Sequence, residues 1–321
     1  MTPILLSPVG RESLWGGTRL RTEYGKNFDS AFLAETWECS THPHGLSTVA
    51  NGEFAGKTLL EVLTQHPEFL GSHNPKGDGL PILVKLIDAK KDLSIQVHPD
   101  DEYALANECA KGKTEMWFVV DAVPGAKLIH GFAHRMTKEQ ILNATDEGSL
   151  GSHLRQVEVH KGDVFFNPAG TIHGIGAGCL IVEIQQNSDI TYRVYDYDRL
   201  DKNGQKRELH FNKALEVLNL DSGKELRQKP RQVRCYPGYS REMLCRCKYF
   251  TTERIAVKQA VIFNVRESSF QVILCLEGCA QLRTTNCGEP LHLKKGDCVF
   301  LPAGLGRCRV LGECEYLKIR V

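Results

Sequence analysis

The stretch from Lys161 to Gly174, KGDVFFNPAGTIHG, is built to present one imidazole. A turn at Gly162 leads into the apolar run Val164-Phe165-Phe166, Pro168-Ala169-Gly170 makes a bend, and His173 opens the next strand. Such a hairpin can hold the imidazole rigidly at the mouth of a β-barrel, where it is placed to ligate a metal. The plainer reading is a hairpin with a surface histidine. The metal reading needs further ligands upstream, and the chain offers polar residues in pairs. Gln96 and His98, two apart in the strand-like run Leu93 to His98, point to one face, and so do Lys113 and Glu115 in the run Lys113 to Val120. Glu35 and Trp37 share a face in the same way, either as an edge-strand packing pair or as part of a site lining. Lys85 interrupts the apolar strand Pro81 to Ile87, where a buried amine is costly unless it reaches a partner or a polar cavity. Snorkelling from a sheet edge is the alternative there. Leu180 to Gln185 carries Glu183, and the polar, aromatic run Gln185 to Arg199 carries Arg193.

The elements that must position these residues are mostly strands. Helices are predicted where capping signals precede apolar spacing: after Thr58, whose capping box with Glu61 opens a helix ending near Pro67, and after Thr137, which pairs with Gln140. Asp100 caps a short helix through Ala106, and His210 to Leu220 reads as an amphipathic helix ended by Asp221 to Gly223. Leu14 to Gly17 opens a loop-rich stretch. The segment from Gly223 to Arg234 turns polar and basic and is the best linker candidate, followed by short strands and turns without a helix. Lys295 to Gly304, KGDCVFLPAG, repeats the first hairpin at the same intervals, with Arg307 where the first copy has His173. The repeat points to a second barrel of the same kind without that ligand.

The interval from Gly162 through Pro168-x-Gly170 to His173 resembles the second motif of the cupin superfamily, whose first motif carries a His-x-His pair and a later glutamate. Gln96-Val97-His98 stands where that pair would be, and Glu115 follows after a longer insertion. By this resemblance His98, Glu115 and His173 form a set of two histidines and one carboxylate that suits Zn2+ with an open position, or Fe2+, with Gln96 as a softer fourth ligand.

More of the chain is similar to type I mannose-6-phosphate isomerases of the short bacterial class. The matching stretches are LWGG (14–17), AETWECSTHP (34–43), VKLIDAKKDLSIQVHPDDEYA (84–104), GKTEMWFV (112–119), PAGTIHGIG (168–176) and QQNSDITYRVYDYDR (185–199). The resemblance implies a mainly β chain of two cupin (jelly-roll) barrels with a few helices packed on the first: a catalytic, metal-binding domain over 1–228 and a metal-free one over 229–321. It implies a zinc enzyme, one ion per chain, interconverting mannose 6-phosphate and fructose 6-phosphate through a cis-enediol. Arg193 falls on the family's active-site arginine, and Lys85, Lys113 and Glu183 on polar positions of its pocket. A cation beside Lys113 would depress its pKa and make it a proton carrier, with Glu183 as a competing base. A cupin Fe2+ oxygenase and a non-catalytic sugar-binding cupin are the rival readings.

Composition narrows the field further. With 40 basic and 39 acidic side chains, the net charge of +1 gives no case for nucleic acid or an anionic membrane. No apolar run reaches membrane-spanning length and no basic n-region opens the chain, so cytoplasm is the default. The family resemblance implies a phosphosugar substrate, and a monomer or weak homo-oligomer is expected. Nine of the 12 cysteines fall from Cys235 onward, mostly among apolar residues at strand period, which predicts buried reduced thiols; the Cys245-x-Cys247 pair is a weak zinc signal.

Overall fold

The computed structural model describes residues 1–29, 32–74, 79–200, 203–221, 231–285 and 288–321. Its strands form sheets of six, five, ten and two, so the chain is mainly β. The six-stranded sheet runs in the order Val164–Asn167, Glu115–Ala122, Cys179–Gln186, Ile82–Ala89, Val9–Gly17, Leu33–Cys39. The five-stranded sheet runs Leu154–Glu158, Lys127–Phe132, His173–Ile175, Ile95–Val97, Tyr192–Tyr195.

The strand Ile82–Ala89 explains how these sheets are held. All its residues are buried, because both faces are covered. Ile82, Val84 and Leu86 pack in one cluster with Phe270, Leu274, Phe300 and Ile319 of the C-terminal third. Ile87 and Ala89 point the other way and pack with Trp117 and Phe165. Each such side chain contributes roughly 1.5–3 kcal/mol on burial. Lys85 therefore sits inside a sheet paired on both sides, and snorkelling from an edge is ruled out.

The first strand, Ile4–Ser7, crosses to the ten-stranded sheet and pairs there with Cys298–Leu301, Ile4 opposite Phe300. Lys26 ties the same two regions, donating 2.6 Å bonds to Glu38 and to the carbonyl of Gly296 in the second KGD turn.

The capping signals give the helices they predict. Thr58 and Thr137 close complete capping boxes at Leu59–Gln65 and Lys138–Asp146, and Asp100 caps Asp101–Glu108. Three expectations shift. Leu14 to Gly17 is not loop but the end of the strand Val9–Gly17; its glycines allow close approach, since a Cβ on Gly16 would lie 2.7 Å from the Ala34 nitrogen. The predicted 210–220 helix is shorter, Phe211–Val217, because Leu218 turns extended and Asn219 donates to the carbonyl of Gly170, docking this helix on the hairpin bend. Two of the C-terminal strands are long rather than short: Gln271–Thr284 and Gly306–Arg320 run as a bent pair, with glycines in left-handed conformations at Gly278 (φ 76°) and Gly312 (φ 131°). Residues 222–230, which hold most of the linker candidate and the expected boundary at 228, lie outside the described residues. No helix among the described residues is long and apolar enough to cross a membrane.

Candidate metal centre

Strand register delivers the candidate residues to one enclosed space. In the five-stranded sheet, His130 is opposite His173, His173 opposite Gln96, and Gln96 opposite Arg193. Residues directly opposite in antiparallel strands share a face, so these four form one row. In the six-stranded sheet Asn167 is opposite Glu115, and Trp117, Glu183, Lys85 and Trp37 form a second row across successive strands. The bond between His130 Nε2 and Asn167 Oδ1, 2.6 Å, joins the two sheets behind His173.

At the centre, His173 Nε2 lies 3.2 Å from His98 Nε2 and 3.3 Å from Glu115 Oε1, and His98 Nε2 lies 3.5 Å from Glu115 Oε2. These three residues could together hold a metal ion. His173 Nδ1 donates to the carbonyl of Thr171 at 2.8 Å, which leaves the Nε2 lone pair facing the group. Burial lowers His98 well below the ordinary histidine range and His173 to about 3, so both imidazoles are neutral, the form that ligates. Glu115 is fully buried, and neither carboxylate oxygen has a hydrogen-bond partner. Burial, then the nearby charge of Glu183, pushes it up to about 8. A buried acid with the Lys113 amine no nearer than 3.4 Å, facing two neutral imidazoles, fits a divalent cation that would restore its charge. The Gln96 side chain reaches His173 Nε2 at 3.5 Å, and the Lys113 amine lies 3.4 Å from Glu115.

A buried ion network lies beside the centre. Lys85 Nζ is 3.2 Å from Glu183 and 3.4 Å from Glu35, with the Trp37 ring centroid at 5.1 Å. Trp117 Nε1 donates to the other Glu183 oxygen at 2.9 Å. Burial works against charge on both Lys85 and Glu183, but their partners outweigh it, raising the lysine and lowering the acid. Removing one member strands the other. Lys85→Met leaves Glu183 desolvated with Trp117 as its remaining hydrogen-bond donor, and should cost about 3–5 kcal/mol of stability in chemical denaturation. An unchanged denaturation midpoint would exclude a structural role for the pair.

Arg193 is placed on the row by its pairing with Gln96. Its guanidinium donates to the Glu208 carbonyl at 2.8 Å, while Nε is buried without a partner. Burial and the charges of Arg207 and Arg199 depress its pKa, although Asp196 partly offsets them.

Sequence reasoning missed several neighbours. Trp117 follows Glu115 by two residues, so strand period alone places it on the cup face. His130 carried no motif, and Asn167, although inside the KGDVFFNPAG hairpin, had no signal of its own; the role of each depends on long-range register. His42, His44 and Asp189 also gather in metal-ligating geometry, beside Trp37 and more exposed than the first group. The Thr41-His42-Pro43-His44 spacing was the available signal for two of them.

Comparison with known proteins gives concordant matches. Residues 4–121 match a model described as phosphomannose isomerase type I, catalytic domain, and residues 240–321 one described as mannose-6-phosphate isomerase, cupin domain. The chain is 37% identical to the mannose-6-phosphate isomerase ManA of Bacillus subtilis, over 98% of each chain. It is 36% identical to the mannose-6-phosphate isomerase of Streptococcus mutans, over 98% of this chain and 97% of that one. Among solved structures, the mannose 6-phosphate isomerase from Bacillus subtilis superposes with a TM-score of 0.92 at 37% identity, covering all of both chains.

Proposed function

The chain belongs to the type I phosphomannose isomerase family, and from that membership we propose that it interconverts mannose 6-phosphate and fructose 6-phosphate in the cup around His98, Glu115 and His173. We further propose Zn2+, one per chain, held by those three residues with Gln96 as a fourth ligand. The observation that carries the reading is Glu115: a fully buried carboxyl whose oxygens lack hydrogen bonds and face two neutral imidazoles. A two-barrel cupin arrangement with helices on the first barrel, and a reducing cytoplasmic setting, complete the proposal. Eleven described cysteines are free, which supports the latter.

The reaction moves a proton between C2 and C1 of the sugar through a cis-enediol, so it needs a base, charge stabilisation and exclusion of water. Bound Zn2+ would supply Lewis-acid polarisation of the substrate carbonyl. Lys113 is the proton carrier in this reading, because its amine projects beside Glu115 and is 4% exposed. Glu183 is the weaker candidate, since Lys85 and Trp117 occupy both its oxygens and hold it ionised. Lys85 then fixes Glu183. Arg193 steadies the negative charge that develops on the sugar oxygens, a role its buried, unpartnered Nε supports. Arg193→Ala should lower kcat/KM by on the order of 10². Unchanged kinetics would remove it from the mechanism.

The family assignment disfavours the Fe2+ oxygenase that the same ligand set would also suit. A coupled assay on mannose 6-phosphate, run beside oxygen uptake, separates them. Isomerisation abolished by a chelator and no oxygen uptake is the expected outcome; uptake without isomerisation would overturn the reading.

A further inference from the structure

The repeated KGD…PAG units align the C-terminal cup on the first one through strand register alone. Leu301 is opposite Gln271 as Asn167 is opposite Glu115, so Gln271 stands at the carboxylate-ligand position. Arg307 is opposite Asn264 as His173 is opposite Gln96, and two residues further on Arg266 stands where the first cup has His98. Both histidines of the first cup are thus replaced by arginines and its carboxylate by an uncharged amide, a set that repels a cation. The buried ion network persists with every sign reversed. Lys318 is opposite Glu253 as Glu183 is opposite Lys85, and Arg241 is opposite Ile255 as Glu35 is opposite Ile87. The pattern acid–base–acid of the first cup thus becomes base–acid–base, with Arg241 Nε 2.6 Å and Lys318 Nζ 3.0 Å from Glu253.

A cavity of about 610 Å3 opens over this inverted network. Arg241, Arg246, Arg266, Lys318 and Arg320 line it, and among the described residues Glu253 is the one carboxylate side chain in its wall. Among the described residues, Arg246, Arg266 and Arg320 have no ion-pair partner, so fixed positive charge faces the cavity uncompensated. Gln271, 8% exposed, donates through Nε2 to the Asn264 carbonyl, while its Oε1 is buried without a partner. Guanidinium groups match phosphate oxygens, and a free amide oxygen matches a hydroxyl. We infer that the C-terminal cup is a non-catalytic binding site for a small phosphorylated, hydroxyl-bearing metabolite of the sugar-phosphate class. The first cup's architecture has been turned from holding a cation to holding an anion.

The test titrates inorganic phosphate and fructose 6-phosphate into the full-length, zinc-loaded protein by calorimetry. Its readout is binding, so its result stands apart from the fate of the isomerase reading. The wild type should bind phosphate at a site that weakens by on the order of tenfold for each guanidinium removed, in Arg246→Gln and, cumulatively, in the double variant Arg266→Gln/Arg320→Gln. These exposed residues lie outside the first cup, so turnover of mannose 6-phosphate should stay within about twofold of wild type, which also certifies folding. Gln271→Leu should leave inorganic phosphate binding unchanged and weaken fructose 6-phosphate at this site by roughly tenfold. Absence of phosphate binding to the wild type, or affinity unchanged in both arginine variants, would overturn the inference.

Discussion

Glu115→Gln is expected to lower kcat on mannose 6-phosphate by on the order of 10³ or more while the protein stays folded. The two substituents are close in volume, so packing is kept, but the amide supplies no charge between His98 and His173. Metal content by mass spectrometry should fall in parallel with activity. Stability should move the other way in the metal-free protein. The wild-type carboxyl shifts from 4.5 to about 8 on burial, so it binds its proton more tightly folded than unfolded. Its favourable contribution is present below about 4.5 and is lost as pH rises through about 8, leaving a buried charge that the Lys113 amine at 3.4 Å offsets only in part. Glu115→Gln removes that loss, and the metal-free variant should match or exceed wild-type stability at pH 8. A variant that keeps full activity and full metal would show that Glu115 is not a ligand.

Lys113→Met should reduce kcat by roughly 10²–10⁴, the range for a lost proton carrier. The sharper readout is exchange of solvent tritium into substrate at C2, which requires removal and return of that proton. Exchange should disappear in a folded, zinc-loaded variant. Near-normal exchange would hand the role to another group, with Glu183 next in line; its bonds to Lys85 and Trp117 make it a poorer base.

The parts of the site that sequence made legible are those governed by local rules. Two-residue alternation places Gln96 with His98 and Lys113 with Glu115, and the Gly–Pro–Gly–His interval marks His173, which the structure brings beside His98 and Glu115. The capping boxes at Thr58 and Thr137 are equally local, and both helices begin where those residues predict. What stayed hidden depends on pairings between distant segments. Lys85 was ambiguous because nothing in PILVKLI says that one face meets Phe270 and Phe300 while the other meets a polar cup. The crossing of Ile4–Ser7 to the second KGD strand is 294 residues distant at Leu5–Val299 and carries no local mark. Leu14 to Gly17 misled in the opposite direction. Its glycines read as loop, yet they serve close packing against Ala34 and Asp88. The sign reversal between the two cups emerges only when registers are compared, because Arg241, Glu253 and Lys318 lie in segments with no shared motif.

The most direct test of the central claim is a zinc back-titration of chelator-stripped protein, followed by the coupled mannose 6-phosphate assay. The account predicts no isomerisation in the stripped protein and a linear return of activity that saturates at about one Zn2+ per chain, with no return in His173→Ala. Full activity in the stripped protein, or recovery in the His173→Ala variant equal to wild type, would contradict it.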